Sequence, residues 1–298
     1  MFAGTTTQKD LYARLVWRMT RDVLFGYSAT VFVYGQTASG KTWTMFGPSL
    51  IHPVTGQLTP ADRSLWGVVP RACEQILHTL NHEHGTSYTF EVSYVEIYQD
   101  RIHDLLNGGA RLQLIEDMAN DRDFRLDNPA LLRASSMKDV DHILATGERQ
   151  KTVFATQMNE RSSRSHCLFT ITLTQTNVER NFRERNKFNL VDLAGSERQK
   201  KSLTHGKRFE EAKNINKSLA TLERCILCLS NPSTTHIPYR DSELTKMLQQ
   251  ALGGYANCKR TLLVTCSRDH AQVLETLSTL RFAYRARHIQ QGKKKSHI

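Results

Sequence analysis

The residues of this sequence whose types and spacing specify the most chemistry lie between Gly35 and Thr42. The segment reads GQTASGKT, so Gly35 is followed after four residues by Gly40, Lys41 and Thr42. This spacing is the G-x-x-x-x-G-K-[ST] pattern of a phosphate-binding loop. Glycines let successive backbone N–H groups face phosphate oxygens, a lysine brings positive charge to the β- and γ-phosphates, and a threonine hydroxyl can ligate Mg²⁺. The segment therefore predicts a site for a nucleoside triphosphate.

The surroundings of this loop favour a nucleotide site over a glycine turn with a purely structural role. The preceding run Thr30–Tyr34 (TVFVY) is aromatic and β-branched, which is typical of a buried strand. A helix that begins after the loop would point the positive end of its dipole at the same anion. The predicted nucleotide contacts are Gly35, Gln36, Thr37, Ala38, Ser39, Gly40, Lys41 and Thr42.

Two later segments carry groups that could sense the terminal phosphate. Residues 159–166 read NERSSRSH, a polar and hydroxyl-rich stretch, and residues 192–197 read DLAGSE directly after the apolar run FNLV. An acid at the carboxyl end of a strand, such as Asp192, is where the Mg²⁺ shell is commonly held. Gly195 is expected to leave its backbone N–H free for a γ-phosphate oxygen. Each segment alone could be an ordinary loop, but their combination with the phosphate loop is far more specific.

The elements that must position these segments alternate between strands and helices. Helical spacing of apolar residues predicts helices over Gln8–Phe25, Val68–Leu80, Glu210–Leu229 and Asp241–Leu252. β-rich or alternating runs predict strands over Thr30–Tyr34, Tyr88–Tyr98, His166–Thr174, Phe188–Leu193 and Thr261–Cys266. Prolines and glycines between Gly47 and Gly67 predict a surface loop. This alternation around a phosphate loop indicates a three-layer α/β domain with a central sheet, whose strand order the pattern leaves open.

Length and composition favour one domain in a soluble, reducing compartment. The 298 residues contain no Pro/Gly/Ser-rich linker, no internal repeat, no run of eighteen apolar residues and no signal-peptide layout. Cys225 and Cys228 form a C-x-x-C, but no second pair follows at zinc-like spacing, so buried free thiols are favoured over a metal or redox pair. The 12 histidines form no ligand motif, so no metal beyond Mg²⁺ is predicted.

The charge balance points to an acidic partner. Lys and Arg total 40 against 29 Asp and Glu, a formal net charge of +11. Nucleic acid, anionic lipid or an acidic protein would suit such a chain, and a solvated basic surface is the plain alternative. The basic residues concentrate at Lys200, Lys201, Lys207, Arg208 and Lys213, and again at Arg281, Arg285, Arg287 and Lys293–Lys295.

From about Gln8 to Ile289 the chain resembles the kinesin motor domain. The resemblance rests on the three segments above together with INKSLATLERCI, HIPYRDSELT and LSTLRFAYRARHI, all in this order. It implies a P-loop NTPase fold, a three-layer α/β/α domain with a central mixed sheet, over residues 1–289. Residues 290–298 would be a basic tail that could begin a linker. The implied ligands are ATP and Mg²⁺.

The resemblance assigns roles to the two sensor segments, with NERSSRSH as switch I and DLAGSE as switch II. It implies that Asn159 belongs to the nucleotide site and that Ser162 and Ser163 contact Mg²⁺ and the γ-phosphate. The implied metal-binding residues are Thr42, Ser162 and, through a water molecule, Asp192.

The implied catalytic residues are Glu197, Arg164, Ser163 and Gly195. Arg164 and Glu197 would close as a salt bridge once ATP is bound. Glu197 could then accept the proton of the attacking water through a second water, while Arg164 would fix the orientation of Glu197. If these two are instead solvated loop charges, such a pair contributes only ~0–1 kcal/mol.

The resemblance places microtubule binding on the loop and helix of Ser196–Ser218 and on His236–Leu252. An acidic tubulin surface would suit the net charge of +11. Glu243 departs from the pattern, because the family usually places a basic residue there, and it should weaken or reshape binding unless Lys246 compensates. The residues implied to contact the microtubule are Lys200, Lys201, Lys207, Lys213, Lys217, Arg240 and Lys246.

A second departure concerns the start of the sequence, which resembles the tail of the family's second strand. The first strand and its adenine-stacking segment are therefore expected to be missing, which would leave an unpaired edge in the sheet. Either the sequence is a fragment or its ATP affinity and stability are impaired.

Three functions follow from these observations. The first is a cytoplasmic, microtubule-bound motor ATPase that couples ATP hydrolysis to microtubule affinity and movement, with its oligomeric state set outside this chain. The second is a non-motile microtubule-binding module with weak or no ATPase activity, which the missing strand would favour. The third is a nucleic-acid-stimulated ATPase, which ranks last because helicase motifs and base-stacking aromatic platforms are missing. Neither nucleic acid nor a membrane is therefore predicted as a partner.

Overall fold

The computed structural model of this protein describes most of the chain. The described residues are 2, 5–52, 55, 58, 62–82, 87–117, 123–157, 163–177, 182–197, 207–231, 233–234, 236–253 and 258–289.

Helices and strands alternate as the sequence predicts. The helices are α1 (Gln8–Leu15), α2 (Trp17–Leu24), α3 (Lys41–Met45), α4 (Val68–Leu80), α5 (Met137–Gln157), α6 (Lys207–Ser230), α7 (Glu243–Met247), α8 (Gln249–Gly253) and α9 (Val273–Arg287). The strands are β1 (Ser28–Gly35), β2 (Ser87–Tyr98), β3 (Arg101–Asp104), β4 (Arg111–Leu112), β5 (Leu114–Asp117), β6 (Asp123–Leu126), β7 (Leu132–Arg133), β8 (His166–Asn177), β9 (Phe182–Asp192) and β10 (Cys258–Thr265).

One mixed sheet forms the middle of the domain. Its order is β10-β1-β9-β8-β2-β3-β4, with β7 pairing to β2, while β5 and β6 form a separate hairpin-like pair. β1 runs parallel to both β9 and β10, whereas β8 runs antiparallel to β9 and β2. Strands β1 and β9 therefore end at the side of the sheet where β8 begins.

Strand β1 shows why the domain has three layers. Val31 and Val33 belong to the apolar core beneath α1, α2, α4 and α5, whereas Phe32 and Tyr34 belong to the core beneath α6–α9. Because successive strand side chains point to opposite faces, an uninterrupted apolar strand must be covered on both sides. The predicted fold class, a three-layer α/β/α domain with a central mixed sheet, is confirmed.

Several boundaries differ from the predictions. The helix predicted over 8–25 is divided at Val16, although the hydrogen bonds from Val16 N to Tyr12 O and from Thr20 N to Val16 O continue across it. The helix predicted over 241–252 is divided at Leu248, and it begins later because Ser242 is an extended N-cap that accepts from Thr245 N. Helix α5 and the short strands β3–β7 were not predicted.

Strand β10 is the edge strand on one side of the sheet. β10 pairs with β1 on one side, and within the described ranges no other strand pairs with it. Helix α9 next to it exposes an apolar set, namely Val273, Leu274, Leu277, Leu280 and Tyr284. An open sheet has an edge strand in any case, so the predicted absence of a first strand stays a prediction.

The cysteines behave as free thiols. All six are unpaired, and Cys73, Cys167 and Cys225 are buried, while Cys228 is half-buried. The interpretation of C-x-x-C as thiols on an apolar helix face agrees with this placement. None of the helices in the described ranges combines the length and apolar character needed to cross a lipid bilayer.

The centre of the sheet should dominate stability. Phe169 on β8 is fully buried and meets the Tyr94 ring edge-on at 5.4 Å, whereas Phe25 is 72% exposed. We expect Phe169→Ala to lower the free energy of unfolding by about 3–5 kcal/mol, because it leaves a cavity. The matched change Phe25→Ala should cost less than about 0.5 kcal/mol. Urea unfolding measures both, and equal losses would contradict the assignment of this core.

Candidate functional site

The phosphate-binding loop connects β1 to α3, as predicted. Gly35 closes β1 opposite Thr265 of β10, and a Cβ atom at Gly35 would approach the Thr265 carbonyl oxygen to 2.2 Å. Ala38 and Gly40 adopt φ values of 61° and 96°, which turn the backbone sharply before α3 begins at Lys41. Only glycine fits at position 35, the first glycine of the motif. The loop geometry therefore depends on the residue types that the motif specifies.

Two charged groups of opposite sign are buried in this loop's surroundings. Lys41 Nζ donates to Gln36 O at 2.8 Å, and burial lowers the pKa of this ammonium group. Thr42 Oγ1 donates to Asp192 Oδ2 at 2.6 Å, while burial raises the pKa of Asp192. The other oxygen, Asp192 Oδ1, is buried without a hydrogen-bond partner among the described residues.

That unsatisfied oxygen is the feature that fits a metal ion. A buried acceptor without a donor is costly unless something outside the chain completes it. Carboxylate and hydroxyl oxygens are the ligands that Mg²⁺ accepts, usually together with waters and substrate phosphates. Asp192 and Thr42 therefore fit the predicted Mg²⁺ site, and Lys41 fits the predicted phosphate contact.

Lys151 of α5 is a member of this site that the sequence interpretation missed. Its ammonium nitrogen lies 4.8 Å from the ring centres of both Phe46 and Tyr94. Its positive charge also favours the ionised form of Asp192, opposing the effect of burial on that pKa. No local pattern marks Lys151, because its partners are distant in sequence.

Backbone N–H groups of switch II (DLAGSE) donate to several other segments. Leu193 N donates to Val33 O at 3.2 Å, Gly195 N to Ser163 O at 2.9 Å and Ser196 N to Gly35 O at 3.0 Å. The expectation of an unengaged Gly195 N–H was wrong for this structure. Its acceptor belongs to switch I (NERSSRSH), as does His166, whose Nδ1 accepts from Ala194 N, so two hydrogen bonds join the two predicted sensor segments.

Glu197 contacts the phosphate-binding loop. Its Oε2 accepts from Thr37 N at 2.7 Å, and its Oε1 accepts from Thr37 Oγ1. Gly195 lies against both groups, since a Cβ there would approach Thr37 Oγ1 to 2.3 Å. The carboxylate thus accepts a hydrogen bond from a backbone N–H of the phosphate-binding loop. A salt bridge between Glu197 and Arg164 stays a prediction for the ATP-bound state.

The remaining predicted nucleotide contacts are only partly described. Ser163 and Arg164 are half-buried at the entry to β8. Ser39 Oγ donates to Gln36 O at 2.7 Å and lies 2.6 Å from Thr265 Oγ1. Asn159 and Ser162 lie outside the described residues.

The predicted microtubule contacts whose side chains the structure describes are all ion-paired. Lys217 Nζ lies 3.1 Å from Asp100, Arg240 lies 2.6 Å from Glu116, and Lys246 lies 2.6 Å from Glu243. Both Arg240 and Lys246 also lie over the Phe124 ring, at 5.7 Å and 5.8 Å. The charged face formed by Lys217, Arg240 and Lys246 thus carries its own acids, and Lys246 pairs directly with Glu243.

Asp100 adds a contact that sequence interpretation missed. Besides pairing with Lys217, its Oδ1 accepts from Glu243 N at 2.7 Å, so it joins the β2–β3 turn to both α6 and α7. Lys200 and Lys201 lie outside the described residues. Lys207 and Lys213 lie on α6, but their side chains are outside the described part of the structure.

Comparison with known proteins gives a consistent result. A sequence model of the kinesin motor domain family matches residues 1–289. The kinesin heavy chain of Botryotinia fuckeliana is 41% identical over 295 residues, covering 99% of this chain and 32% of that protein. The human kinesin heavy chain isoform 5C is 40% identical over 287 residues, covering 96% of this chain and 28% of that protein. The chain thus spans about a third of the length of these curated relatives.

Solved structures share the fold. The structure of a fast kinesin superposes with a TM-score of 0.87 at 38% identity, covering 99% of this chain and 81% of that one. The C-terminal motor and motor homology domain of Kar3Vik1 gives a TM-score of 0.79 at 33% identity, covering 96% and 70%.

The Lys41 ammonium should be required for nucleotide binding. We expect Lys41→Ala to weaken the affinity for ATP and ADP at least about tenfold, because a charge-assisted contact is lost inside a buried site. Titration with a fluorescent nucleotide measures the affinity. Lys259→Ala, which removes an exposed lysine over Tyr27, is the control and should leave affinity unchanged. Equal affinity of Lys41→Ala and the parent would contradict the site.

Proposed function

The chain belongs to the kinesin motor domain family, and from this premise we propose that it is an ATPase whose hydrolysis cycle changes its affinity for microtubules. The observation that carries the proposal is the position of switch II. Its residues contact the phosphate-binding loop through Glu197 and Thr37, and the chain continues from there into α6, whose Lys217 belongs to the charged face. One segment therefore connects the nucleotide site with a surface suited to an acidic polymer.

Nucleotide binding is proposed to use the loop as the motif suggests. Backbone N–H groups of Gly35–Thr42 and the Lys41 ammonium would hold the phosphates. Thr42, Asp192 and Ser162 would hold Mg²⁺, which supplies positive charge to the phosphate oxygens. Asp192 is the strongest support for this assignment, since one of its buried oxygens lacks a donor among the described residues.

Sensing the terminal phosphate is proposed to proceed by exchange of hydrogen bonds. Gly195 N–H would leave Ser163 O for a phosphate oxygen, and Glu197 would leave Thr37 for Arg164. Because each group exchanges one partner for another, the change costs little compared with leaving a buried group unpaired. Switch I and switch II would then alternate between two arrangements according to the nucleotide.

Hydrolysis is proposed to depend on Glu197 as the proton acceptor. In its position beside Gly195 and Thr37 this carboxylate lies at the loop where the phosphates would bind. Arg164 would orient it after closure. The transition state would draw its electrostatic stabilisation from Lys41 and the loop N–H groups.

Microtubule binding is proposed to use the charged face by a similar exchange. Two of its ion pairs are partly exposed, with the Arg240 and Lys217 side chains 61% and 50% accessible, and exposed pairs contribute only ~0–1 kcal/mol each. Arg240 and Lys217 could therefore leave Glu116 and Asp100 for acidic tubulin groups at little cost. Binding should weaken with salt because charges are screened over about 10 Å at 0.1 M.

The rate of ATP hydrolysis with microtubules, with single-stranded DNA and with neither tests this function. We expect stimulation by microtubules alone. Binding to microtubules without stimulation would support the non-motile module instead, and stimulation by DNA alone would support a nucleic-acid-dependent ATPase.

Glu197→Ala should separate ATP binding from hydrolysis. We expect this variant to bind ATP but to lose the rapid burst of phosphate release, because the proton acceptor is gone. Quenched-flow measurement of phosphate gives the burst. Glu74→Ala, at an exposed acid on α4, should keep it. A burst of normal size in Glu197→Ala would mean that the proton leaves by another route.

Glu243→Lys should raise microtubule affinity severalfold at low salt, since it adds positive charge and releases Lys246. The gain should shrink as salt is added. Cosedimentation at two salt concentrations measures both effects. The control Glu74→Lys makes the same charge change and also breaks an ion pair, with Arg63, on the opposite layer of the domain. An equal gain in the control would indicate a general charge effect rather than a contact at Glu243.

A further inference from the structure

His166, the first residue of β8, connects switch II to α6. Ala194 N donates to His166 Nδ1 at 2.9 Å, and His166 Nε2 lies 2.8 Å from Ser218 Oγ on α6. All three residues are buried, with His166 only 2% exposed. One ring nitrogen thus contacts switch II and the other contacts α6, the two segments that the proposed cycle would move.

The two contacts fix the chemical state of the ring. Because Nδ1 accepts from a backbone N–H, the proton of a neutral imidazole must be on Nε2, which therefore donates to Ser218 Oγ. Burial, followed by the nearby Lys41 charge, lowers the pKa of His166 to about 3. The ring is neutral throughout the physiological range, so its role is geometric rather than one of proton transfer.

The neighbouring N–H groups show why this contact differs from the rest of switch II. Leu193 N and Ser196 N are held by carbonyl oxygens of β1, which belongs to the centre of the sheet. Ala194 N is held by a side chain whose other end contacts α6. A shift of the Leu193–Ala194 peptide, which carries the Ala194 N–H, therefore moves Ser218 as well, or else the two hydrogen bonds of His166 break.

We propose that His166 is a positioning residue that transmits the placement of the Leu193–Ala194 peptide, the neighbour of the peptide that carries the Gly195 N–H, to α6, and thereby couples the nucleotide state to microtubule affinity. Burying an imidazole is costly unless both nitrogens are satisfied, and an apolar residue would fill the same space at lower cost. The observed pair of contacts offsets that cost only while switch II and α6 keep their relative position. The inference rests on the proposed function, since it concerns how that function is regulated.

Ser218→Ala tests the link without changing the histidine. The measured quantity is the ratio of microtubule dissociation constants in ADP and in a non-hydrolysable ATP analogue. We expect the variant to reduce this ratio by about fivefold, which is the effect of losing one hydrogen bond of typical strength. Thr221→Val is the matched control, because it removes another buried hydroxyl from the same helix one turn away, and it should keep the parent ratio.

His166→Asn provides a second, independent measurement. The asparagine oxygen can take the place of Nδ1 and accept from Ala194 N, but it does not reach Ser218. We expect this variant to lower the ratio as Ser218→Ala does, and the double variant to lower it no further, because both changes remove the same contact. A general loss of packing would instead give additive effects.

The outcomes distinguish this inference from the function on which it rests. If the parent protein binds microtubules equally in both nucleotide states, the proposed function fails. If the parent ratio is large and Ser218→Ala leaves it unchanged, the role of His166 is refuted while the function stands. If His166→Asn does not fold, Ser218→Ala and Thr221→Val alone decide the question.

Discussion

The site depends on the requirement that buried backbone N–H groups keep an acceptor. Between Leu193 and Ser196, four consecutive N–H groups donate to four different places: two carbonyls of β1, a ring nitrogen of His166 and the carbonyl of Ser163. Only the acceptor of Gly195 lies in the part of switch I that precedes β8, since His166, the last residue of switch I, is already the first residue of that strand. A phosphate oxygen can replace that acceptor without leaving a donor unpaired, whereas moving the other three would require parting from the sheet or from His166. The constraint thus selects which group can respond to a ligand.

The side chains of the charged face also keep partners within the chain, but through weaker interactions than the backbone hydrogen bonds of switch II. Lys217, Arg240 and Lys246 each have an acidic partner within the chain, so the face is not a bare cluster of cations. The pairs of Lys217 and Arg240 are the more exposed ones, and exposed pairs contribute little to stability, so these two are easy to exchange for acids on another surface. The net charge of +11 attracts an acidic partner at long range. The local ion pairs reduce the positive charge that the charged face presents to that partner.

The predictions for the site rest on local motifs, and contacts between residues distant in sequence were beyond such motifs. Gly35, Lys41, Thr42 and Asp192 were found because a phosphate site requires those types at fixed spacing or at a strand end. Lys151 and Asp100 were missed because their partners are remote, with Asp100 and Lys217 lying 117 positions apart. The engagement of Gly195 was also missed, since its acceptor is set by how β8 enters the sheet. Short strands such as β4 and β7 carry too few residues to show an alternating pattern.

The direction of β8 explains why these segments can meet at all. β1 and β9 are parallel, so the phosphate-binding loop and switch II leave the sheet at the same edge. β8 is antiparallel to β9, with Cys167 opposite Asp192, so its first residue lies at that edge and the preceding switch I segment arrives there. A parallel β8 would have placed switch I at the far end of the sheet, about 12 residues or some 40 Å away at 3.3 Å per residue. Sheet topology therefore brings His166, Ser163 and Gly195 together, and side-chain chemistry acts only within that arrangement.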